Sequence, residues 1–184
     1  MLFRSIGYGP LPTAATFSQA ASESLTTLVA GKTPANATKL FAAGATKIYE
    51  VSGVGVLTDR SKSGGYTPSS DNERFRFTQF GSVIIGTNFS DPMQAYTLGT
   101  STAFADLAGS PPVCRYLTVV RDFVVTAYTK ESTVTYPTRV RWSDINSETT
   151  WASGGTSQAD YQDIRSEEHT SELSHGYISY AVFC

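Results

Sequence analysis

The chain has 184 residues, of which 40% are hydrophobic and 12% aromatic, enough to build the core of one domain. Charged residues make up only 16%, and the formal net charge is −2. This composition argues against binding of nucleic acid through a basic surface, which requires clustered Lys and Arg. No apolar run approaches the roughly 20 residues that span a bilayer, so we do not expect a membrane protein.

The two ends of the chain differ in character from its interior. Residues 165–184 (RSEEHTSELSHGYISYAVFC) resemble translated sequencing-adapter DNA, and residues 1–5 (MLFRS) resemble the end of the partner adapter. Such segments are excluded from fold reasoning, and we expect residues 6–164 to be an internal piece of a longer gene. That interior has no histidine and one cysteine, Cys114, so we expect neither an intrachain disulfide nor a histidine-based site.

The first predicted sheet follows an extended connector. Residues 6–17 contain two Gly and two Pro, which predicts a connector without regular structure. Residues 18–30 fit a short helix or a strand, and the β-branched run within them favours the strand. Further strands are predicted at 38–43, 46–52 and 55–59, so this first unit occupies roughly residues 23–60.

The second predicted sheet has the clearest signal in the chain. Four short segments rich in aromatic and β-branched residues are separated by Gly, Ser, Asp and Pro, which is typical of an antiparallel meander. They span 75–80, 82–88, 93–98 and 103–107, within a unit of about 75–108. The run Val83-Ile84-Ile85 is apolar on both faces, which predicts an interior strand that is covered above and below.

A third unit is predicted at about residues 115–152, and it completes a repeat. Its strands are expected at 116–121, 123–128, 139–143 and 149–152. The connection Thr129–Thr138 contains Pro137, so we expect a long loop there and no tight hairpin.

An aromatic residue recurs on the third strand of each unit and sets the period. Tyr49, Tyr96 and Trp142 are 47 and 46 residues apart. A period of about 40 to 50 residues with four strands per repeat predicts an all-β fold, a partial β-propeller of about three antiparallel blades within residues 18–164. A β-sandwich is the alternative. Because closed propellers carry about four to eight blades, three would leave the propeller incomplete.

Candidate sites are few. Arg139 and Arg141 lie two apart on one predicted strand and therefore on one face, which either lines a channel or partner surface or is a solvated strand face. Trp142 and Trp151 fit blade packing better than stacking on sugars. The acids at strand ends and turns fit local backbone hydrogen bonding better than paired catalytic carboxylates; they are Asp106, Asp122, Asp144 and Asp160. The sequence therefore predicts no catalytic, cofactor or metal site, and no enzyme.

Several segments carry a family resemblance over nearly the whole interior. They are Phe77-Thr78-Gln79-Phe80-Gly81, Phe104-Ala105-Asp106-Leu107-Ala108-Gly109-Ser110-Pro111-Pro112, Val119-Val120-Arg121-Asp122-Phe123-Val124-Val125, Arg139-Val140-Arg141-Trp142-Ser143-Asp144-Ile145-Asn146 and Gln158-Ala159-Asp160-Tyr161-Gln162-Asp163. In this order the chain resembles the packaged-DNA stabilisation or tail accessory proteins of short-tailed phages.

The resemblance implies a virion structural protein, made in the bacterial cytoplasm, whose propeller sits at the head–tail junction. It also implies other virion proteins and further copies of the chain as partners, and it brings no catalytic residues. Packaged DNA would be a further partner, although the low charge does not support it. The alternative function is a propeller that binds or cleaves glycans.

Overall fold

The computed structural model describes residues 16–70 and 72–164. Within them the chain forms three four-stranded antiparallel sheets and no helix. The sheets follow one another along the chain, which is the arrangement of three blades of an incomplete propeller and confirms the predicted fold class. No helix in the described part is long and apolar enough to cross a membrane. The adapter-like ends, 1–5 and 165–184, and most of the connector 6–17 lie outside the described residues.

Blade 1 contains the first four strands, which pair in chain order. They are β1 Thr27–Lys32, β2 Thr38–Ala43, β3 Ile48–Val51 and β4 Leu57–Asp59. The preference for a strand over a helix within residues 18–30 is thus confirmed by β1. Blade 2 pairs its strands in the same way, and all four agree with the sequence prediction to within two residues at each end. They are β5 Arg76–Phe80, β6 Val83–Thr87, β7 Gln94–Thr97 and β8 Ala105–Asp106.

Blade 3 departs from the sequence prediction. Its strands are β9 Val113–Val120, β10 Phe123–Glu131, β11 Val134–Trp142 and β12 Asp160–Asp163. The prediction of a fourth strand at 149–152 is wrong. Residues 149–152 belong instead to a loop, in which the Trp151 side chain packs into the core between blades 2 and 3. The edge of β11 pairs with β12, where Arg139 meets Asp163.

The predicted long connection between the second and third strands of blade 3 is also wrong. The strands β10 and β11 meet in a hairpin that leaves only Ser132 and Thr133 unpaired, and Ser132 has a φ of 56°. Pro137 is tolerated because it lies at a bulge opposite Tyr128, which has a φ of 57°. A bulge leaves a residue outside the hydrogen-bond ladder, so the missing N–H of proline breaks no ladder bond.

The strand β6 contributes to both hydrophobic cores of the molecule. Ile84 lies in the cluster between blades 1 and 2, whereas Ile85 lies in the cluster between blades 2 and 3, and both are fully buried. This confirms the prediction of an interior strand covered on both faces. Because each such side chain contributes about 1.5–3 kcal/mol when buried, β6 is central to holding the three blades together.

The core between blades 1 and 2 is dominated by aromatic rings in edge-to-face and tilted contact. Phe41 lies 4.9 Å from Tyr96 and 5.5 Å from Phe104, measured between ring centroids. Tyr66, from the loop between the blades, meets Phe75 at 4.8 Å. Such pairs add about 0.5–1.5 kcal/mol beyond the burial of their area and restrict how the sheets can slide.

The first strands of the blades lie side by side. β5 contacts both β1 and β9, whereas β4, β8 and β12 form the opposite edges of their sheets. The edge formed by β1, β5 and β9 is called the inner edge below, and the edge formed by β4, β8 and β12 the outer edge.

Candidate functional site

A groove opens at the inner edge, where the three blades meet. It has a volume of about 420 Å³, and its walls come from all three blades. The Thr27 hydroxyl donates a 2.8 Å hydrogen bond to the carbonyl oxygen of Phe75, which holds β1 against the start of β5. The lining residues that matter here are Thr27, Leu28, Arg74, Arg76, Tyr116 and Leu117. We call this cavity the inner groove.

Two arginines give the inner groove its charge. The guanidinium carbon of Arg76 lies 4.9 Å from the centre of the Tyr116 ring, and both side chains are exposed. Within the described residues, neither Arg74 nor Arg76 forms an ion pair. A guanidinium stacked on an aromatic ring keeps its N–H edges available for a carboxylate or another oxyanion. The groove therefore offers the Arg76 guanidinium, whereas Arg74 also borders a second cavity beside Glu23 and Glu73.

Charge is distributed unevenly between the two edges of the blades. The inner strands carry Lys32, Arg76 and Arg115 and no acidic residue. The outer strands carry only acidic charges, at Asp59, Asp106, Asp160 and Asp163. The potential at the inner edge is thus more positive than the net charge of −2 suggests, since like charges on neighbouring strands reinforce one another.

Arg139 lies away from the inner groove, in an ion-pair network on β11. Its Nε and Nη2 donate to the two carboxylate oxygens of Asp163 at 2.7 and 2.9 Å, and Nη1 lies 3.4 Å from Glu131. The rings of Tyr136 and Tyr161 lie 3.7 and 4.0 Å from its guanidinium carbon. The hydrogen bond to Asp163 raises the pKa of Arg139 above its ordinary value. Arg139 is only 8% exposed, so the interpretation as a solvated strand face is wrong for it.

Arg141 shares the same acidic partner. Its Nη1 lies 3.1 Å from Glu131, and its Nη2 donates a 2.7 Å hydrogen bond to the Trp151 carbonyl oxygen. Both arginines contact Glu131, which confirms that they lie on one face. They are separated from the inner groove by β9 and β10. Their charges serve to hold β12 and the Trp151 loop on β11.

The three repeated aromatics lie on the third strand of each blade, as predicted, but they do not all face the same way. Tyr96 points towards blade 1, where it packs with Phe41. Tyr49 points away from blade 2, because its neighbour Ile48 lies in the core between blades 1 and 2. Both tyrosines thus face the amino-terminal side of their blades, and the Tyr49 hydroxyl lies 2.7 Å from the Ser22 hydroxyl.

Trp142 faces the opposite way. It pairs across the sheet with Val125, whereas the next residue on β10, Val124, lies in the core between blades 2 and 3. Because alternate residues of a strand point to opposite faces, Trp142 points away from blade 2. Its Nε1 donates to the Gln158 carbonyl oxygen at 2.8 Å. Trp151, by contrast, packs between the blades as predicted.

The acidic candidates act mainly as local structural groups. The Asp144 carboxylate accepts hydrogen bonds from the backbone of Ile145 and Gln158 at 2.9 and 2.7 Å, and Asp160 accepts one from the backbone of Tyr161. These confirm the predicted backbone role for two of the four. Asp122 lies in the two-residue turn between β9 and β10.

Asp106 has a different role from the one predicted. Its carboxylate accepts hydrogen bonds from Lys62 at 3.0 Å and from the Gln94 amide at 2.6 Å. Burial alone would raise the pKa of Asp106, but these hydrogen bonds lower it below its ordinary value. The Lys62 contact ties the loop after blade 1 to the outer strand of blade 2.

Cys114 is fully buried in the core between blades 2 and 3. Burial raises the pKa of its thiol to about 12. A thiol with so high a pKa is neither a nucleophile nor a ready metal ligand near neutral pH. Within the described residues no group of three or more His, Cys, Asp and Glu side chains is placed to hold a metal ion.

Sequence reasoning missed the inner groove because its residues come from separate blades. Arg74 and Arg76 stand two apart at the start of β5, a spacing that could have identified a basic face. The partner ring, Tyr116, lies 40 residues further along, and no local pattern connects the two. Comparison with protein-family models and with curated proteins finds no match to this chain.

Proposed function

We propose that this protein is a structural component of a phage particle, a propeller subunit of the tail or of the head–tail connector. It acts by packing against other virion proteins and against further copies of itself. The proposal combines the all-β blade architecture with the resemblance to tail accessory proteins. Fold alone does not determine function, so the assignment to a virion depends on the resemblance.

The observation that carries the packing role is the face of blade 3 that points away from blade 2. Its apolar side chains share one face because they are cross-strand partners or lie two apart on a strand; they are Val120, Phe123, Val125, Val140 and Trp142. Val120 is 52% exposed. A contiguous apolar sheet face of this kind is typical of a protein–protein interface.

An antibody raised against the chain tests the proposal on intact particles. We expect immunogold label at one end of tailed particles purified from the source sample, and we expect the chain to remain with the particles through a density gradient. Sequencing of the flanking DNA should reveal neighbouring portal and terminase genes. Label confined to soluble cell protein, together with neighbouring metabolic genes, would contradict the proposal.

The second candidate is a propeller that binds glycans. The inner groove favours it, because Arg76 from blade 2 and Tyr116 from blade 3 converge there. Cleavage of a glycoside usually needs two carboxylates, and none of the described residues that line the groove is acidic. The groove therefore supports binding and gives no support to hydrolysis.

A further inference from the structure

Exposed apolar side chains are concentrated in the two terminal blades. Within residues 16–70 and 72–164, the large apolar side chains that are exposed belong to residues 17–56 or to residues 116–164, and none belongs to blade 2. They are Phe17, Leu25, Leu28, Val54, Val56, Tyr116, Val120, Val134, Ile145, Tyr161 and Ile164. Blade 2 has a neighbouring blade on both sides, whereas blades 1 and 3 each have one. This distribution indicates that the uncovered sides of blades 1 and 3 are packing surfaces.

The side of blade 1 that points away from blade 2 carries aliphatic residues on β1 and β2. Val29 and its cross-strand partner Phe41 pack on the core between blades 1 and 2. Alternation along the two strands then places Leu28, Ala30 and Leu40 on the opposite side. Leu28 is 64% exposed, and Ala30 is exposed as well. We call this side the free face of blade 1.

The segment before β1 covers only the outer part of this free face. The backbone N–H of Gln19 donates a 3.0 Å hydrogen bond to the carbonyl oxygen of Gly55, in the turn between β3 and β4. The Ser22 hydroxyl lies 2.7 Å from the Tyr49 hydroxyl, on β3. These contacts lie over β3 and the turn that follows it, so the apolar residues of β1 stay open.

The free face of blade 3 is the side described above that points away from blade 2. It reaches the inner edge through Val120, the last residue of β9, which pairs with Phe123 on β10. Leu28 lies on β1, which is the inner strand of blade 1. Both free faces therefore present an exposed aliphatic side chain on the inner strand of their sheet.

The two free faces continue the series of interfaces that already exists within the chain. Each interface joins one blade to the amino-terminal side of the next blade, as Phe41 of blade 1 meets Tyr96 of blade 2. In the next interface, Ile85 of blade 2 and Val124 of blade 3 belong to one core. The free face of blade 1 is an amino-terminal side without a preceding blade, and blade 3 has no following blade. The two free faces are thus the two halves of a further interface of the same kind.

The strands of the two free faces also carry a complementary pair of charges. Lys32 ends β1 on the side of Leu28, and Asp160 lies on the side of its cross-strand partner Trp142. Neither forms an ion pair within the described ranges, 16–70 and 72–164. Both lie at the end of the blades where β1 and β9 finish. A contact between the free faces therefore brings opposite charges to the same end of the interface.

We propose that the free face of blade 3 binds the free face of blade 1 of a second copy, and that two such contacts join two copies head to tail. Three blades from each copy give six, which lies within the range of about four to eight blades that close a ring. One copy has too few blades and three copies would have too many, so the head-to-tail contact closes with two copies. This inference rests on the packing role proposed above and names the partner of that surface.

Sedimentation equilibrium of the full chain and of surface variants tests the inference. The parent chain should have twice the mass of one copy. Leu28→Arg and Val120→Arg each place a charge in one of the two free faces, so each should raise the dissociation constant of the dimer at least tenfold. Ala105→Arg is the matched control, because Ala105 is exposed on the outer strand of blade 2 and belongs to neither free face. It should change the dissociation constant less than twofold.

Urea denaturation shows whether the two interface variants keep their fold. Leu28 and Val120 are exposed in a single copy, so their replacement removes little buried area. At a concentration at which the parent chain is monomeric, we expect both variants to keep its unfolding midpoint. A loss of the dimer without a loss of stability then reports on the contact between copies.

A mixture of the two variants distinguishes a head-to-tail contact from a symmetric one. Blade 3 of the Leu28→Arg copy and blade 1 of the Val120→Arg copy are both unaltered, so the mixture can form one contact of the parent kind. We expect the equimolar mixture to dimerise at total concentrations up to about 1 mM, although neither variant dimerises alone at the same concentration. Its affinity should be lower than that of the parent chain, which forms two such contacts.

Four results would overturn the inference. A parent chain that stays monomeric up to the same concentration would show that its free faces take a different partner. A dimer that Val120→Arg breaks and Leu28→Arg leaves intact would show a symmetric contact between two copies of blade 3. Parent assemblies larger than a dimer would show that the contact does not close. A mixture that remains monomeric would contradict the head-to-tail arrangement.

Immunogold labelling separates this inference from the virion role. Labelled particles together with a monomeric chain would overturn the contact between copies and leave the virion role standing. Dimers together with unlabelled particles would overturn the virion role and leave the contact between copies standing.

Discussion

The Phe41 ring of β2 lies edge-on to the Tyr96 ring of β7, with centroids 4.9 Å apart and an interplanar angle of 61°. One ring belongs to blade 1 and the other to blade 2, and neither is exposed to solvent beyond 1%. The contact thus joins two sheets that share no backbone ladder. Side-chain packing of this kind, repeated between blades 2 and 3, holds the molecule together.

Removal of the Phe41 ring should therefore be costly. We expect Phe41→Ala to lower the free energy of unfolding by about 3–5 kcal/mol, because it removes buried area and leaves a cavity between two sheets. Urea denaturation followed by tryptophan fluorescence measures the change. Val54→Ala is the control: Val54 is 82% exposed, so its loss should stay within about 0.5 kcal/mol. Equal effects of the two variants would contradict the packing between blades 1 and 2.

Substitution of Gly109 should be costly because a Cβ there would clash with neighbouring backbone. Gly99 is the comparison, because it has a similar backbone conformation and no such clash. A Cβ at Gly109 would lie 1.5 Å from the Thr149 carbonyl oxygen, and the residue has a φ of 84°. Gly99 has a similar φ of 89°, but a Cβ there would meet nothing within 4 Å. We expect Gly99→Ala to cost about 1 kcal/mol for backbone strain alone, and Gly109→Ala to cost at least 2 kcal/mol more.

Thermal unfolding of both glycine variants gives the comparison directly. Equal losses of stability would mean that the loop of residues 107–112 does not pass close to residue 149. That result would contradict the way blade 3 packs on blade 2.

The network around Arg139 should contribute more to stability than an exposed ion pair does. Arg139→Met removes the hydrogen bonds to Asp163 and leaves Glu131 with fewer partners, so we expect a loss of about 2 kcal/mol. Lys47→Met breaks the exposed pair with Asp59 and should have a smaller effect. Hydrogen exchange should also rise along β12 in Arg139→Met. Unchanged protection of β12 would show that Arg139 does not hold this strand.

Protonation of Glu50, in blade 1, should lower the free energy of unfolding in acid. Burial alone would raise the pKa of Glu50, but hydrogen bonds from Lys39 and Arg60 lower it below the ordinary value of 4.5. The folded state therefore binds the Glu50 proton more weakly than the unfolded state does. Its contribution is fully present above pH 4.5 and is lost as the pH falls through the lower folded-state pKa.

The Glu50→Gln variant should flatten this dependence. Urea denaturation between pH 3 and pH 6 should give a shallower slope of stability against pH for the variant than for the parent chain. A slope equal to that of the parent chain would contradict the lowered pKa of Glu50. Glu148→Gln serves as a control, because the Glu148 carboxylate forms no ion pair within residues 16–70 and 72–164, and its slope should equal that of the parent chain.

The sequence predicts an element of the fold correctly where the residue pattern that indicates it lies within that element. The run Val83-Ile84-Ile85 has no polar face, so burial on both sides follows from composition alone, and the structure confirms it. The failures in blade 3 have separate sources. The bulge at Tyr128 extends β11 backwards through Pro137, and an alignment by aromatic residues placed Trp142 on the wrong face. A displacement of one residue reverses every side chain of a strand.

The inner groove is unpredictable from sequence for a different reason. Its arginines follow one another closely, but Tyr116, whose ring contacts Arg76, comes from blade 3. Arg139 also shows how sequence spacing falls short. Spacing correctly placed it on one face with Arg141, yet only the structure shows that Glu131 and Asp163 neutralise it.

The packing of β6 between two sheets is tested most directly by a methyl-selective NOESY experiment on the full chain. The experiment observes the neighbouring residues Ile84 and Ile85, whose side chains point to opposite faces of β6. We predict cross-peaks from the Ile84 δ1 methyl to Gly31 in blade 1, where a Cβ would lie 2.4 Å away, and from the Ile85 methyls to side chains of the blade 3 core such as Val124. Cross-peaks from both isoleucines to the same neighbouring sheet, or to neither, would contradict a stack of three blades.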